Sequence, residues 1–224
     1  MMLFNRRTGK GARLALMAVF LSAIAGGCAD TKGDAPFLTG NTFDRYNELG
    51  VPYPESENVN ISYEFGHVAD VDIAVEGQFS GRAWLFSDNS AALPERFVIL
   101  HLVEPELGSL AEVGRELSVG KGVFTVKDYC VTLSEDDAPL VVKPYVAAVL
   151  NQQFALSDSV FVRRYVSKRL GLDGKRLDVA FVEDVVRKGY TCDMFENFVP
   201  SDPDVEDFIK WLRANGDRSF EVVG

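Results

Sequence analysis

The sequence predicts an α+β protein built on a largely antiparallel, strongly curved or barrel-like sheet, with two or three helices that include a C-terminal one. Three observations predict this class. Apolar residues recur at every second position in short segments separated by turn residues, which is typical of strands with one face in a core. The segments do not alternate with helical patterns as they do in a doubly wound fold. Residues 201–204 combine the proline and acidic residues of a helix start.

The first clear strand of the domain has a period of two residues. Its apolar side consists of Val71, Ile73 and Val75. Asp70 and Asp72 flank Val71 and therefore face water together. Two carboxylates in this arrangement can hold a divalent cation, but no further ligand follows at the spacing of a calcium site. We therefore interpret the pair as a solvated strand face and predict no metal site.

The run 97–103 is apolar at nearly every position, which predicts a central strand covered on both sides. His101 lies within it, and a buried histidine beside a pocket can act as an acid, a base or a metal ligand. The alternative is a neutral imidazole bonded to a backbone carbonyl. We favour the alternative because the chain has two histidines, too few for a three-histidine zinc site. The other histidine, His67, is expected in a turn.

The remaining elements follow from local signals. A capping box that begins at Ser109 predicts a helix over 109–117. Pro144 predicts the start of a short helix after a strand at 140–142, and the Asn-Gly pair at 215–216 predicts the end of the C-terminal helix. The other predicted strands are 82–86, 123–133, 159–170, 176–186 and 218–223.

The first 27 residues have the pattern of an export signal. A basic head precedes an apolar run over 14–24; its basic residues are Arg6, Arg7, Lys10 and Arg13. Spanning a bilayer takes ~20 apolar residues, and this run is about half that length. We therefore expect residues 1–27 to be removed during export, with the twin-arginine route as a minor alternative suggested by Arg6 and Arg7.

The tetrapeptide Ala25-Gly26-Gly27-Cys28 follows the apolar run. It resembles the lipobox of bacterial lipoprotein precursors, and the resemblance covers only the export segment. It implies that Cys28 becomes the first mature residue, with a diacylglyceryl group on its sulfur and an acyl chain on its amine. In this class the next residue helps to select the membrane, and Ala29 implies the outer membrane with the domain facing the periplasm. Two or more chains are enough for stable anchoring.

A second cleavage site remains open. Ala23, Ile24 and Ala25 form an A-x-A site for an ordinary signal peptidase. A cut there would leave Cys28 as a plain thiol on a secreted or soluble periplasmic protein. Lipidation is our prediction, because an odd cysteine in an exported chain otherwise needs an explanation.

Composition indicates one acidic globular domain. Loss of residues 1–27, with four of the 23 basic residues, would leave 19 basic and 33 acidic residues, a net charge of −14. Such a charge excludes general electrostatic binding to nucleic acid, which needs basic residues to replace counterions. The Gly, Pro and charged residues of 28–57 predict a tether and N-terminal arm, whose later part packs on the domain through its aromatic residues. Residues 58–224 are predicted to form a single globular domain.

Cys130 and Cys192 remain once Cys28 is assigned to lipid. An oxidising periplasm favours a disulfide between them, and closing a loop of that length stabilises a fold by roughly 4 kcal/mol in the chain-entropy model. The alternative is a redox or nucleophilic cysteine. Since the chain has no CxxC motif, we predict a structural bridge.

The one concentration of basic residues lies in the predicted strand 159–170. Arg163, Arg164 and Lys168 are interleaved with apolar residues, which suits a half-exposed strand whose charges simply face water. The functional alternative is a patch that meets lipopolysaccharide phosphates, cell-wall carboxylates or an acidic protein. These three residues are the candidate interaction patch.

No sequence motif for covalent, metal or cofactor chemistry is present, so we predict no catalytic residue, metal or cofactor. The leading hypothesis is a periplasm-facing envelope lipoprotein with a non-catalytic binding or structural domain, whose partner is an envelope protein, a cell-wall component or a lipid. One alternative is a barrel-type carrier of a lipid or other apolar ligand, which needs a cavity of ~300 Å³ or more. The other is a periplasmic hydrolase with two facing carboxylates.

Overall fold

The structure is a computed structural model, and it describes residues 42–44, 58–89, 93–105, 114–135, 138–170, 174–196 and 203–223. The export segment, Cys28 and most of the arm lie outside these residues. The strands of the described part are β1 (Thr42–Asp44), β2 (Asn58–Ile61), β3 (Phe65–Val75), β4 (Phe79–Asp88), β5 (Arg96–Pro105), β6 (Arg115–Val119), β7 (Gly122–Thr132), β8 (Ser159–Leu170), β9 (Arg176–Asp184) and β10 (Phe220–Val223). Its α-helices are α1 (Lys143–Asn151), α2 (Cys192–Glu196) and α3 (Pro203–Arg218).

Seven strands form an antiparallel sheet in the order β3-β4-β5-β9-β8-β7-β6. This sheet is curved but not closed. A smaller antiparallel sheet has the order β1-β2-β10, and a bridge between Gly120 and Val222 connects the two. The predicted α+β class, with a largely antiparallel curved sheet and a C-terminal helix, is confirmed.

The large sheet is packed on both sides, which we call the front face and the back face. On the front face, Tyr165 packs with Leu212 of α3 and Phe220 of the smaller sheet. On the back face, α1 places Tyr145 against a second apolar cluster that includes Phe97. The central strands β5 and β9 are therefore buried from both sides, as the apolar run 97–103 predicts.

The predicted helix over 109–117 is wrong in its described part. Residues 115–117 belong to β6, which pairs with β7 so that Leu117 lies opposite Phe124. Leu117 also packs against the front-face cluster. Pairing with a long neighbouring strand outweighs a local helix signal that already contains Gly114, a poor helix former. Residues 109–113 of the capping box lie outside the described part.

The segment 139–154 is confirmed as a helix and wrong as a strand. Proline stands in the first turn of α1, as predicted. Leu140, placed in a strand by its β-rich neighbours, is 63% exposed in a turn. Val142 is buried as the residue before the helix. Val141 and Val142, which pack in the back-face cluster, therefore anchor the start of α1.

The C-terminal helix begins as predicted but does not end at the Asn-Gly pair. α3 continues to Arg218, and Gly216 is buried inside it. A Cβ at position 216 would lie 2.7 Å from Tyr165 Oη and 2.9 Å from Arg163 Cδ. Gly216 is therefore a point where α3 approaches β8 closely, because a side chain there would prevent the contact.

In β3, the acidic face lies where it was predicted, whereas His67 does not. Asp70 and Asp72 are exposed, as the alternation of β3 predicts. Asp70 pairs with Arg82 at 2.6 Å and with His67 at 2.9 Å. His67 lies in β3 and not in a turn, at the position where the register with β4 shifts. The ion pair and the strand bulge were not visible in the local sequence.

Candidate ligand-binding cleft

The predicted disulfide connects the large sheet to α2. Cys130 of β7 and Cys192 at the start of α2 have Cα atoms 5.3 Å apart, within the range for protein disulfides. Cys192 is buried, and Cys130 packs against the front-face cluster. The predicted pair is confirmed, and it holds α2 beside the front of β7.

The three residues of the candidate interaction patch do not share a surface. Successive side chains of a strand point to opposite faces, so Arg163 lies on the front of β8 and Arg164 on the back. The side chains of both are 2% exposed and paired with carboxylates. Lys168 is exposed and pairs with Glu116. The expectation that these charges face water is wrong for the two arginines, because carboxylates from neighbouring elements lie against them.

Arg163 is the centre of a polar network between β8, β7 and α3. Its Nε donates to Asp217 Oδ1 at 2.9 Å and to Tyr165 Oη at 3.0 Å. Its Nη1 forms an ion pair with Asp128. Tyr165 Oη donates to Asp217 Oδ1 at 2.8 Å, and Arg213 Nε donates to Asp128 Oδ2 at 2.7 Å. We call Arg163, Asp128, Asp217 and Arg213, together with Arg115, the arginine cluster.

Strand register and helix period bring this cluster together. Asp128 of β7 lies opposite Arg163 of β8. Arg115 of β6 lies two residues along, opposite Val126 of β7, and therefore on the same face. Arg213 and Asp217 are one helical turn apart on α3, so both reach this part of the sheet. Arg115 is exposed and forms no ion pair with any described residue.

The arginine cluster borders a pocket of about 150 Å³, lined by Arg115, Arg163 and Arg213 with Asp128 and Val126. A guanidinium has five N–H donors. Arg163 uses Nε and Nη1 in the network, while its Nη2 is buried and has no hydrogen-bond partner in the described part of the chain. The N–H groups of this nitrogen are therefore unsatisfied in a residue that lines the pocket.

A second cavity of about 240 Å³ adjoins the first, because Asp128 and Arg213 line both. Its other described lining residues are largely apolar: Tyr129, Cys130, Phe161, Phe195 and Ile209. We call these two adjoining cavities, which β7, β8, α2 and α3 border, the cleft; the smaller cavity is its basic end and the larger one its apolar end. The disulfide at Cys130 fixes the position of α2, which supplies Phe195.

Arg163 stays charged and Tyr165 stays neutral across the physiological pH range. Burial disfavours the charged form of Arg163, but Tyr165, Asp128 and Asp217 outweigh it and raise the pKa of the guanidinium. Burial raises the pKa of Tyr165 well above its ordinary value, and the nearby Asp217 raises it further. Tyr165 is therefore a neutral donor in this network.

Comparison with family models, with curated proteins and with solved structures gives no match. Within the described residues, no helix has the length and apolar character that crossing a bilayer requires.

His101 belongs to a separate site on the back face. It is fully buried, and its Nδ1 lies 3.1 Å from Tyr145 Oη. Burial lowers its pKa to about 4, so the imidazole is neutral at pH 7. Arg164 and Asp178, both buried, form an ion pair of 2.7 Å on the same face. His101 is therefore a buried polar residue of the core, as the neutral-imidazole interpretation predicts, and it lines neither cavity.

Buried carboxylates occur at the other end of the central strands. Glu183 is fully buried, neither of its oxygens has a partner among the described residues, and burial raises its pKa to about 8. Asp88 lies nearby and is paired with Arg96 at 3.2 Å. In the described part, no three metal-binding side chains converge here or elsewhere. We interpret Glu183 as a protonated acid inside the fold at pH 7.

Sequence reasoning found one member of the arginine cluster and missed the others. Arg163 was singled out, but Arg115 lay in the segment predicted to be a helix. Arg213 and Asp217 carry a signal that could have been used, because a cation and an anion four residues apart share a helix face. Asp128 gave no local signal, since its pairing depends on the register between β7 and β8.

Proposed function

We propose that the protein is a periplasm-facing envelope lipoprotein, anchored by lipid at Cys28, whose domain is a non-catalytic binding module. The module binds an anionic group of its ligand at the arginine cluster. One observation carries the binding part: a pocket bordered by Arg115, Arg163 and Arg213, beside a buried Arg163 Nη2 without a partner. The anchoring part is supported by the export pattern that ends at Cys28.

The side chains of the cleft are suited to holding charge and not to moving protons. An arginine cannot be deprotonated in a protein and does not act as a base. Asp128, the carboxylate among the described lining residues, is paired with both Arg163 and Arg213. A glycoside hydrolase needs two facing carboxylates. Glu183, whose pKa is raised, is sealed in the core and lines neither cavity. These observations favour binding over hydrolysis.

The barrel-carrier alternative has less support. A barrel carrier holds its ligand inside a closed sheet, whereas the large sheet here is not closed. Side chains of the two core clusters fill both of its faces. A ligand is therefore expected at the surface cleft between the sheet and the helices.

Mass spectrometry of the mature protein tests the anchoring. Protein recovered from producing bacteria is expected to begin at Cys28 and to carry the mass of three acyl chains, two of them on a glyceryl group. A Cys28→Ser variant is expected in the soluble fraction, because it lacks the acyl chains that stable membrane attachment needs. An unmodified amino terminus just after Ala25 would contradict the anchored placement.

Stabilisation by small anions tests the binding site. Acetate is expected to raise the unfolding temperature of the wild-type protein above that in chloride of equal ionic strength, because a ligand of the folded state stabilises it. Arg115→Gln is expected to lose this gain. Arg218→Gln, an exposed arginine of α3 outside both cavities, is the matched control. Equal stabilisation of all three proteins by chloride and acetate would contradict an anion site at the cluster.

A further inference from the structure

We infer that the ligand is an aliphatic monocarboxylate, a fatty-acid-like molecule whose carboxylate binds the arginine cluster and whose chain lies in the apolar end of the cleft. This inference rests on the proposed anion-binding function and adds the chemical class of the ligand. It is carried by the charge of the cluster, the lining of the larger cavity and the adjacency of the two cavities.

The charge of the cluster matches a single negative charge. Arg115, Arg163 and Arg213 contribute three positive charges. Asp128 and Asp217 contribute two negative charges, which leaves one positive charge without a counter-ion. A carboxylate neutralises that charge and can accept two parallel N–H bonds from a guanidinium. A phosphate monoester carries about −1.5 to −2 at pH 7 and would place excess negative charge beside Asp128.

The lining of the larger cavity matches an aliphatic chain. Phe161, Phe195 and Ile209 present apolar surface, and the disulfide of Cys130 adds to it. The cavity has a volume of about 240 Å³ and so has room for a short chain. A peptide would bury N–H and C=O groups against this surface, and unpaired buried polar groups reduce affinity. The lining therefore favours a chain without polar groups.

One ligand can occupy both ends of the cleft, with its carboxylate in the basic end and its chain in the apolar end. Asp128 and Arg213 line both cavities, so the basic end and the apolar end adjoin at these two residues. A carboxylate that reaches Arg115 and Arg163 leaves the adjoining chain beside Arg213, and the rest of the chain continues over Ile209 of α3. A head group without a chain would fill only the smaller cavity.

Calorimetric titration of the purified full chain with acetate, butanoate, hexanoate and octanoate at constant ionic strength tests the inference. Each added methylene is expected to raise the affinity about threefold to fourfold until the cleft is filled. Octan-1-ol is expected to bind at least about tenfold more weakly than octanoate, because it lacks the charge that the arginines bind.

Two variants test the contribution of the carboxylate and that of the aliphatic chain separately. Arg115→Gln is expected to weaken octanoate about tenfold or more while the gain per methylene stays the same. Ile209→Ala is expected to weaken octanoate several-fold and to leave acetate unchanged. Arg218→Gln should change neither by more than about twofold, since it lies outside both cavities. Circular dichroism of each variant checks that the fold is retained.

The outcomes distinguish this inference from the function on which it rests. If acetate binds through Arg115 but a longer chain adds nothing, the aliphatic ligand is refuted and the anion site stands. Tighter binding of octyl phosphate, or of a short peptide with a free C-terminal leucine, would also refute the monocarboxylate. Octanol equal to octanoate would refute the role of the arginines. If acetate does not bind at all, both the inference and the anion site are wrong.

Discussion

Arg163 and Arg164 are neighbours in the sequence but occupy two different kinds of site. On the back face, Arg164 pairs with Asp178 at 2.7 Å, and the Asp178 side chain is 0% exposed. On the front face, Arg163 pairs with Asp128 and Asp217, whose side chains are 22% and 30% exposed. The back-face pair is sealed in the core, whereas the front-face pair borders the cleft.

This difference distinguishes buried charges that stabilise the fold from buried charges that can bind a ligand. Removing one partner of a sealed ion pair strongly destabilises the fold, because the remaining charge has no access to water. A pair at the edge of a cavity can retain an unused donor, since an incoming ligand or water can complete it. Changes at the back-face site should therefore act on stability, and changes at the cleft should act on binding.

The largest expected effect comes from breaking the sealed pair. Asp178→Asn leaves Arg164 and Arg176, which also pairs with Asp178 at 2.8 Å, without their carboxylate. We expect a loss of about 3–5 kcal/mol in the free energy of unfolding, measured by urea denaturation. Asp72→Asn on the exposed side of β3 is the control and should change it by less than about 0.5 kcal/mol. Equal losses in the two variants would show that the back-face pair is not sealed.

The disulfide gives the next largest effect. Replacing both Cys130 and Cys192 by Ser opens a loop of 62 residues, and we expect a loss of about 2–4 kcal/mol. Thiol alkylation of unfolded protein should label these two residues only after reduction. Reductant should not change the free energy of unfolding of the double variant. In the wild-type protein, reductant should lower it by the same amount as the two substitutions do. Full labelling of the wild-type protein without reductant would contradict the bridge.

Gly216 tests the contact between α3 and the front-face network. In an exposed helix, Gly→Ala usually stabilises by ~1 kcal/mol. At position 216 the new Cβ would meet Tyr165 Oη at 2.7 Å, so we expect a loss of about 1–3 kcal/mol and weaker anion binding. The sign of the change in the free energy of unfolding is decisive. A stabilised Gly216→Ala variant would mean that α3 does not approach β8 closely.

Per pH unit, Glu183 has the smallest expected effect on the free energy of unfolding. The effect appears as a dependence of stability on pH. Its folded-state pKa is raised from 4.5 to about 8, so the protonated form is favoured in the folded protein. The stability it contributes is complete below pH about 4.5, falls by up to about 1.4 kcal/mol per pH unit as the pH rises, and is lost above pH about 8.

Glu183→Gln should remove this slope and be more stable than the wild-type protein at pH 8 to 9. Urea denaturation at a series of pH values measures it, and Glu76→Gln in an exposed turn is the control. An unchanged slope in Glu183→Gln would show that the carboxyl is not sealed in the folded state.

Much of the sheet was predictable because a two-residue period reports burial directly. Val71, Ile73 and Val75 locate β3, and the all-apolar run 97–103 locates the centre of the sheet. The failures occurred where tertiary contacts outweigh local preference. Residues 115–117 pair with β7 despite a helix signal, and Gly216 permits a close approach that resembles a helix stop in the sequence.

The cleft was not predictable because it depends on register. The interaction patch was chosen from neighbouring charges, but adjacent strand residues face opposite sides, and so Arg163 and Arg164 were grouped wrongly. Arg115 and Asp128 join Arg163 only through the pairing of β6, β7 and β8. The cysteine pair was predictable without register, since two cysteines in an oxidising compartment leave one pairing.

NMR of the arginine side-chain Nε–H groups, titrated with hexanoate, tests the central claim most directly, because Arg163 and Arg164 are observed in the same sample. Signals of Arg163 and Arg213 should shift with a common saturating curve, and the signal of Arg164 should stay in place. The same titration of Arg115→Gln should need about tenfold more hexanoate. Shifts of equal size at Arg163 and Arg164, or no shift at either, would contradict a ligand site at the arginine cluster.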